Sequence, residues 1–243
     1  TTELHRLERV RTDFVANASH ELKTPISALR GFVDTVIDDT EMPAETRRTF
    51  LVRSQQQIHR LASIVQDLLQ LSRLDTGYSP DSDKTLVLSD VVHQVHLTKI
   101  TDAEMKQVQL ICDTSPECQQ HSIQGRADDL ALMLSNLIDN AIKYSDHGGT
   151  VSLTLTMNGE GLIQFNVTDQ GVGIPAEEHD KIFERFYRVD PARSRNKGGT
   201  GLGLSIVKHV VERYQGRIKL VSRPGQGASF SVTFPILQPD PTR

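Results

Sequence analysis

SHELKTP, residues 19–25, sets a histidine beside a carboxylate and four positions before a threonine, with a proline closing the group. On a helix each residue advances about 100°, so His20 lies about 160° around from the apolar Leu22 and faces outward. Thr24 sits on the same face almost directly above it, and Glu21 is the neighbouring carboxylate. Pro25 cannot donate to the carbonyl of Glu21, which loosens or bends the helix at the turn bearing His20. Such a cost is understandable where something must approach an exposed imidazole. No second His, Cys or carboxylate cluster at ligand spacing accompanies it, which argues against a metal ligand.

Three further groups carry polar chemistry. LMLSNLIDNAIKYSD (132–146) puts Asn136, Asn140 and Lys143 on one helical stripe, opposite Leu134, Leu137, Ile138, Ala141 and Ile142. An amide oxygen is a neutral hard donor suited to Mg²⁺ that already carries phosphate oxygens, and lysine supplies a point charge to phosphate. The same stripe would also serve as the solvated face of an amphipathic helix. In DQGVGIP (169–175) an aspartate ending a strand can accept from an exocyclic amine, and Gly171 and Gly173 let the backbone approach a flat ligand, although plain turns use the same pattern. In NKGGTGLGLSIV (196–207) Gly198, Gly199, Gly201 and Gly203 precede an apolar helix, so free amides at its start can wrap a phosphate chain. This is neither a P-loop nor a Rossmann fingerprint. RPGQGASF (223–230) reads as a structural turn between strands.

These groups need elements to hold them. Apolar residues at helical spacing from Leu4 to Ile37 describe one long amphipathic helix, and residues 38–43, ending in Pro43, break it. Phe50, Ser54, Ile58, Leu61, Val65, Leu68 and Ser72 mark the seam of a second helix. One hairpin cannot cover so long a seam, and pairing of two copies into a four-helix bundle is the natural solution. The polar, aperiodic stretch 78–83 is a linker, which gives domains at 1–77 and 84–236 and a frayed tail at 237–243. Strands are expected at 85–89, 108–112, 150–157, 161–169, 217–222 and 228–234, and helices at about 89–104, 127–144 and 202–214. The fold class is α+β: a helical hairpin, then a mixed sheet with helices on one face.

Composition narrows the partners. The 243 residues are 37% hydrophobic and 24% charged, and 27 Lys and Arg against 31 Asp and Glu give a net charge of -4, with no general attraction for nucleic acid or anionic lipid. No apolar run approaches the roughly 18 residues of a membrane span. Cys112 and Cys118 form no metal, redox or disulfide pattern. The sequence starts within a helical pattern, with Leu4 and Leu7 already on the seam, so further segments, a membrane span among them, are expected upstream of a cytoplasmic portion.

In this order the motifs resemble the transmitter core of a bacterial sensor histidine kinase. SHELKTP resembles the phosphoacceptor box, NLIDNAIKY the asparagine box, DQGVGI and GGTGLGLS the two glycine boxes, and FERFYR (183–188) the phenylalanine box. FVANASHELKTPISALRGF is similar to the subfamily of phosphate-limitation sensors. The resemblance implies a homodimeric hairpin bearing His20 and an ATP-binding sandwich of the type shared with topoisomerases. It implies that His20 attacks the γ-phosphate of ATP, with Glu21 as general base or orienting group; neutral imidazole is a competent nucleophile near pH 7. Asn140, helped by Asn136, would hold Mg²⁺. Lys143 and Arg188 would meet phosphates, Tyr144 would pack on the nucleotide and Asp169 would read the adenine amine. Gly171, Gly173, Gly199, Gly201, Gly203 and Leu204 would line the nucleotide, and residues 189–203 would form a lid. Thr24 would help position the water that removes phosphate from a partner response regulator. Gly125-Arg126-Ala127-Asp128 departs from relatives that carry an acidic residue near Arg126.

Two rivals compete with this reading. An ATP-driven clamp would need a carboxylate such as Asp139 or Asp129 to activate water, and would leave His20 unexplained. A scaffold without catalysis is disfavoured by the intact Asn, Asp and Gly positions.

Overall fold

The computed structural model describes residues 2–76, 84–158, 161–190 and 199–237. The chain divides into two compact units, Thr1–Ser72 with Arg185–Leu202, and Arg73–Glu184 with Gly203–Arg243.

In the first unit α1 (Thr2–Asp38) runs unbroken through Pro25, and α2 (Ala44–Thr76) starts directly after Pro43. Met42 is buried at the turn, and Arg47 donates to its carbonyl at 3.3 Å. Phe32 and Phe50 meet across the hairpin, with ring centroids 6.0 Å apart. Ser54, Ile64 and Leu71 form the buried stripe of α2 in this unit, and Ser54 donates its hydroxyl proton to the carbonyl of Phe50 at 2.9 Å. Here the expected seam needs correction. Ile58 and Val65 are 53% and 45% exposed, so they lie on a second apolar stripe that the hairpin leaves uncovered. That stripe takes Leu51, Ile58, Val65 and Leu69 from α2, and Ile26, Val33 and Ile37 from α1, at intervals of seven and four.

The second unit is a two-layer sandwich. After β1 (Lys84–Val87) come α3 (Leu88–Met105), β2 (Gln109–Thr114), β3 (Ser122–Gly125), α4 (Ala127–Tyr144), β4 (Thr150–Met157) and β5 (Ile163–Asp169). The remainder supplies α5 (Gly203–Arg213), β6 (Arg217–Ser222) and β7 (Ala228–Phe234). The main sheet has the order β2-β4-β5-β7-β6, with β2 parallel to β4 and the other pairs antiparallel. β1 and β3 form a separate antiparallel ribbon.

Alternation decides which face is covered. Val151, Leu153, Leu155, Ile163, Phe165, Val167, Phe230, Val232 and Phe234 point into the core, where α4 contributes Leu130, Met133, Leu134, Leu137, Ile138 and Ala141. The opposite face is polar and self-satisfied: Asn166 donates to Thr154 at 3.0 Å, and Gln164 donates to Asn166 at 2.8 Å. The strand expected at 85–89 stops at Val87, because buried Leu88 and Ser89 already belong to α3. β3, absent from the sequence-based assignment, is four residues long and shows too little alternation to stand out. The expected linker at 78–83 and most of the tail lie outside the described residues.

Phe165→Ala should destabilise the protein by about 3–5 kcal/mol in urea unfolding, because it opens a cavity at the centre of the sheet. Thr154→Ala, on the polar face, should cost about 1 kcal/mol.

Candidate functional site

The amphipathic pattern of α4 fixes the first part of the site. Burial of its apolar stripe leaves Asn136, Asn140, Lys143 and Tyr144 half-buried along the other side. Asn136 spends its amide hydrogen on its own helix, donating to Leu132 at 2.9 Å. Its oxygen faces the start of α5, where a Cβ on Gly203 would lie 2.6 Å from it. A side chain at position 203 would displace the Asn136 amide. Asn140, one turn on, has no hydrogen-bond partner among the described residues. Lys143 Nζ lies 5.4 Å from the centroid of the Tyr144 ring. The far end of α4 is capped by Lys106, whose ammonium donates to the carbonyls of Ile142 and Lys143.

β5 delivers the second part. Asp169 is buried, and its Oδ1 accepts from Gly171 N at 2.8 Å and Ala228 N at 3.3 Å. Its Oδ2 has no hydrogen-bond partner among the described residues. Desolvation raises the pKa of this carboxyl, against the lowering effect of the two backbone N–H groups and of the Lys106 charge. The loop after Asp169 is packed so tightly that a Cβ at Gly171 would meet the Tyr144 carbonyl at 2.3 Å. At Gly173, with φ +68, it would meet the Arg223 carbonyl at 1.9 Å.

The turn at 223–227 therefore does more than join two strands. Gly225 N donates to Val172 at 2.8 Å and Gly227 N to Gly171 at 3.0 Å. Ser222 Oγ accepts from Ile174 N at 2.8 Å and donates to Gly227 at 2.6 Å. Gly227 and Ser222 are site supports that sequence reasoning missed. Their signal was the G-Q-G spacing of RPGQGASF, which reads equally well as a plain turn.

The first unit holds the other expected residues. His20 and Thr24 are exposed on α1, with Thr24 Oγ1 donating to the His20 carbonyl at 3.2 Å. Glu21 is half-buried, and its Oε2 accepts from Arg60 of α2 at 3.0 Å and from Arg188 at 2.9 Å. Arg188 belongs to a segment whose Phe186 ring lies 6.0 Å from Phe14, and whose Phe186 N donates to Gly201 at 2.8 Å. Thr200 donates to Asp67 at 2.6 Å; burial raises the pKa of Asp67, which this bond partly offsets. Gly199, Gly201 and Arg188 thus share the first unit with His20, while Gly203 and Leu204 belong to the second. Gly198 and most of the expected lid lie outside the described residues.

Two compared families divide the chain between them. Residues 10–77 match the His Kinase A (phospho-acceptor) domain, and residues 125–238 match the histidine kinase-, DNA gyrase B-, and HSP90-like ATPase domain. The chain belongs to the sensor histidine kinase family. Over 99% of its length it is 40% identical to the sensor-like histidine kinase SenX3 of Mycolicibacterium smegmatis. Over 96% it is 34% identical to the phosphate regulon sensor protein PhoR of Pseudomonas aeruginosa. It spans 61% and 52% of those proteins' own lengths. Among solved structures, full-length ShkA in complex with AMPPNP superposes with a TM-score of 0.64 at 26% identity, covering 94% of this chain and 46% of that one. The histidine kinase AdeS of Acinetobacter baumannii shares the fold, with a TM-score of 0.67 at 24% identity over 88% of this chain and 96% of that one. These matches make residues 125–238 a domain of the ATP-binding type and place the two long helices in a domain of the phosphoacceptor type. No helix among the described residues is long and apolar enough to cross a membrane.

Asp169→Asn keeps an oxygen for both backbone donors and removes a charge that burial disfavours. A raised carboxyl pKa means that the folded state binds its proton more tightly than the unfolded chain. Wild-type protein therefore gains stability, relative to the variant, as pH falls through the raised value toward the ordinary value of about 3.9. Urea unfolding should show the variant at least as stable as wild type at pH 7, with the difference shrinking at acidic pH.

Proposed function

We propose that this chain is the kinase core of a two-component sensor, in which His20 takes the γ-phosphoryl group of ATP and passes it to an aspartate of a response regulator. The observation that carries the reading is His20 standing exposed beside a carboxylate that two guanidinium groups hold in place, in a chain whose second unit offers an adenine-type acceptor at Asp169. Imidazole attacks as the neutral base, and in-line transfer then needs chiefly positioning and charge stabilisation.

Asp169 Oδ2 is the acceptor for the adenine amine, and Tyr144 packs on the base. Asn140 and Asn136 hold Mg²⁺ and Lys143 meets the phosphates, with Gly171, Gly173, Gly199, Gly201, Gly203 and Leu204 lining the path. The donor set suits the metal, since the Asn140 amide is uncommitted and the Asn136 oxygen faces away from its own helix. Mg²⁺ would neutralise charge on the phosphate oxygens. Arg188 takes the second phosphate role, and its bond to Glu21 supports a further one beside the histidine.

The uncovered stripe at Ile26, Val33, Ile37, Leu51, Ile58, Val65 and Leu69 supports a homodimer, because a second copy presents the same spacing to it. We assign residues 1–77 to dimerisation and phosphotransfer and 84–236 to ATP binding, with sensor and membrane segments supplied by the rest of a longer protein. Thr24, exposed one turn above His20, supports a second activity that hydrolyses the regulator's aspartyl phosphate. The ATP-driven clamp is less well supported. Asp139 is committed to Lys99 at 2.6 Å, and Asp129 to Arg213 at 3.2 Å and to the Tyr214 hydroxyl at 2.7 Å.

Incubation with γ-labelled ATP and Mg²⁺ should give an acid-labile, base-stable label that His20→Gln lacks; acid-stable label, or label in His20→Gln, rejects the kinase. Thr24→Ala should keep autophosphorylation and slow regulator dephosphorylation, so equal loss of both would remove the phosphatase role. Ile58→Asp with Val65→Asp should convert dimer to monomer in native mass measurement.

A further inference from the structure

Arg60 lies on α2, 39 residues beyond the carboxylate it touches, and no motif of the sequence singles it out. Its side chain is only 10% exposed, its Nη2 bonds Glu21 Oε2 at 3.0 Å, and its Nε is buried with no partner among the described residues. A guanidinium is seldom buried on a helix for packing alone, because desolvation of the charge is costly unless a fixed anion repays it. Glu21 is that anion. Arg188 meets the same oxygen at 2.9 Å, so both cations converge on Oε2. Oε1 has no hydrogen-bond partner among the described residues.

We infer that Arg60 is a positioning residue for phosphoryl transfer: it locks the Glu21 carboxylate through Oε2 so that Oε1 is held ready for the imidazole of His20. The inference rests on the kinase reading above. A glutamate on an exposed helix turn has three freely rotating side-chain bonds, and a proton acceptor must sit within hydrogen-bond reach of the ring it serves. Anchoring one oxygen to the neighbouring helix removes that freedom before ATP arrives, and leaves the other oxygen its acceptor capacity. One ring nitrogen attacks with its lone pair, so that the N–P bond forms as the P–O bond to ADP breaks, and the proton on the other ring nitrogen is taken at Oε1, or the ring is oriented through it. Arg60 contributes no atom to either bond. Arg188 arrives from a separate chain segment, whereas Arg60 is built into the hairpin that carries the histidine. The permanent part of the lock is therefore the α2 arginine.

A double-mutant cycle tests this with the whole chain. Arg60→Gln should lower the autophosphorylation rate at saturating ATP by about tenfold or more while leaving the KM for ATP unchanged. Arg60→Lys should recover part of the rate. In a Glu21→Gln background, Arg60→Gln should cost less than about twofold, because the residue acts only through the carboxylate. A purely structural arginine would cost the same factor in both backgrounds, and that result overturns the inference, as does an unchanged rate or a loss confined to KM. Circular dichroism and native mass report whether Arg60→Gln keeps the helical dimer. If it does not, Arg60→Lys is carried through the same cycle, and equal losses in the two backgrounds again overturn the role. Label that persists in His20→Gln would count against the kinase itself, so the two failures are separable.

Discussion

The Asp169 carboxylate ties together stretches of chain that are far apart in sequence. It ends β5, and one of its oxygens takes the backbone N–H of Gly171 in the following loop and of Ala228 at the start of β7. Burial disfavours the charge, and the raised pKa of the group registers that cost. Two backbone donors offset part of it and fix the carboxylate's orientation, which leaves Oδ2 as a directed acceptor. A serine or threonine could not hold both donors on one oxygen and still offer a second acceptor in a set direction. The neighbouring close approaches follow from the same arrangement. Gly171 must pass the Tyr144 carbonyl, Gly227 the Asp169 carbonyl and Gly173 the Arg223 carbonyl, and any side chain there would meet backbone at about van der Waals overlap.

The hairpin solves a different problem. Each of its helices has one apolar stripe for the other helix and a second that remains open, so the sequence is apolar over a wider arc than a simple pair requires. Ser54 sits in the closed stripe because its hydroxyl is satisfied by its own helix, whereas Ile58 and Val65 lie in the open one. A sequence pattern of apolar positions reports that a residue seeks cover. It does not report whether the cover comes from the same chain or from another copy.

That distinction explains where the sequence could be read and where it could not. β6, β7 and α4 were placed to the residue, because strong alternation or strong amphipathicity acts over their whole length. β3 and the β1–α3 junction were not, since four-residue strands carry almost no period and Leu88 is apolar in either element. In the candidate site, Asn136, Asn140 and Asp169 stood out in the sequence because amides and acids in apolar surroundings are expensive. Arg60 was not. Arginine is common on helix surfaces, and only the hairpin turn decides that residue 60 stands opposite residue 21. Ser222 and Gly227 were hidden similarly, for their partners are contributed by a loop some 50 positions earlier in the chain.

Helix geometry then accounts for the order of the residues around the histidine. Successive positions on α1 are about 100° apart, so a residue that must be open and a residue that must be held can be adjacent only if one faces solvent and the next faces α2. His20 takes the first place and Glu21 the second, within reach of Arg60. Position 24 returns to within about 40° of His20, which puts the Thr24 hydroxyl on the same open face one turn above it. Position 25 turns inward again, and Pro25 is buried there. A proline at that point removes the hydrogen bond to the Glu21 carbonyl, at the turn where the carboxylate is anchored by side-chain bonds to other segments. The loss of one backbone bond is thus placed where cross-helix ion pairing, and not the local ladder, keeps the acid in position.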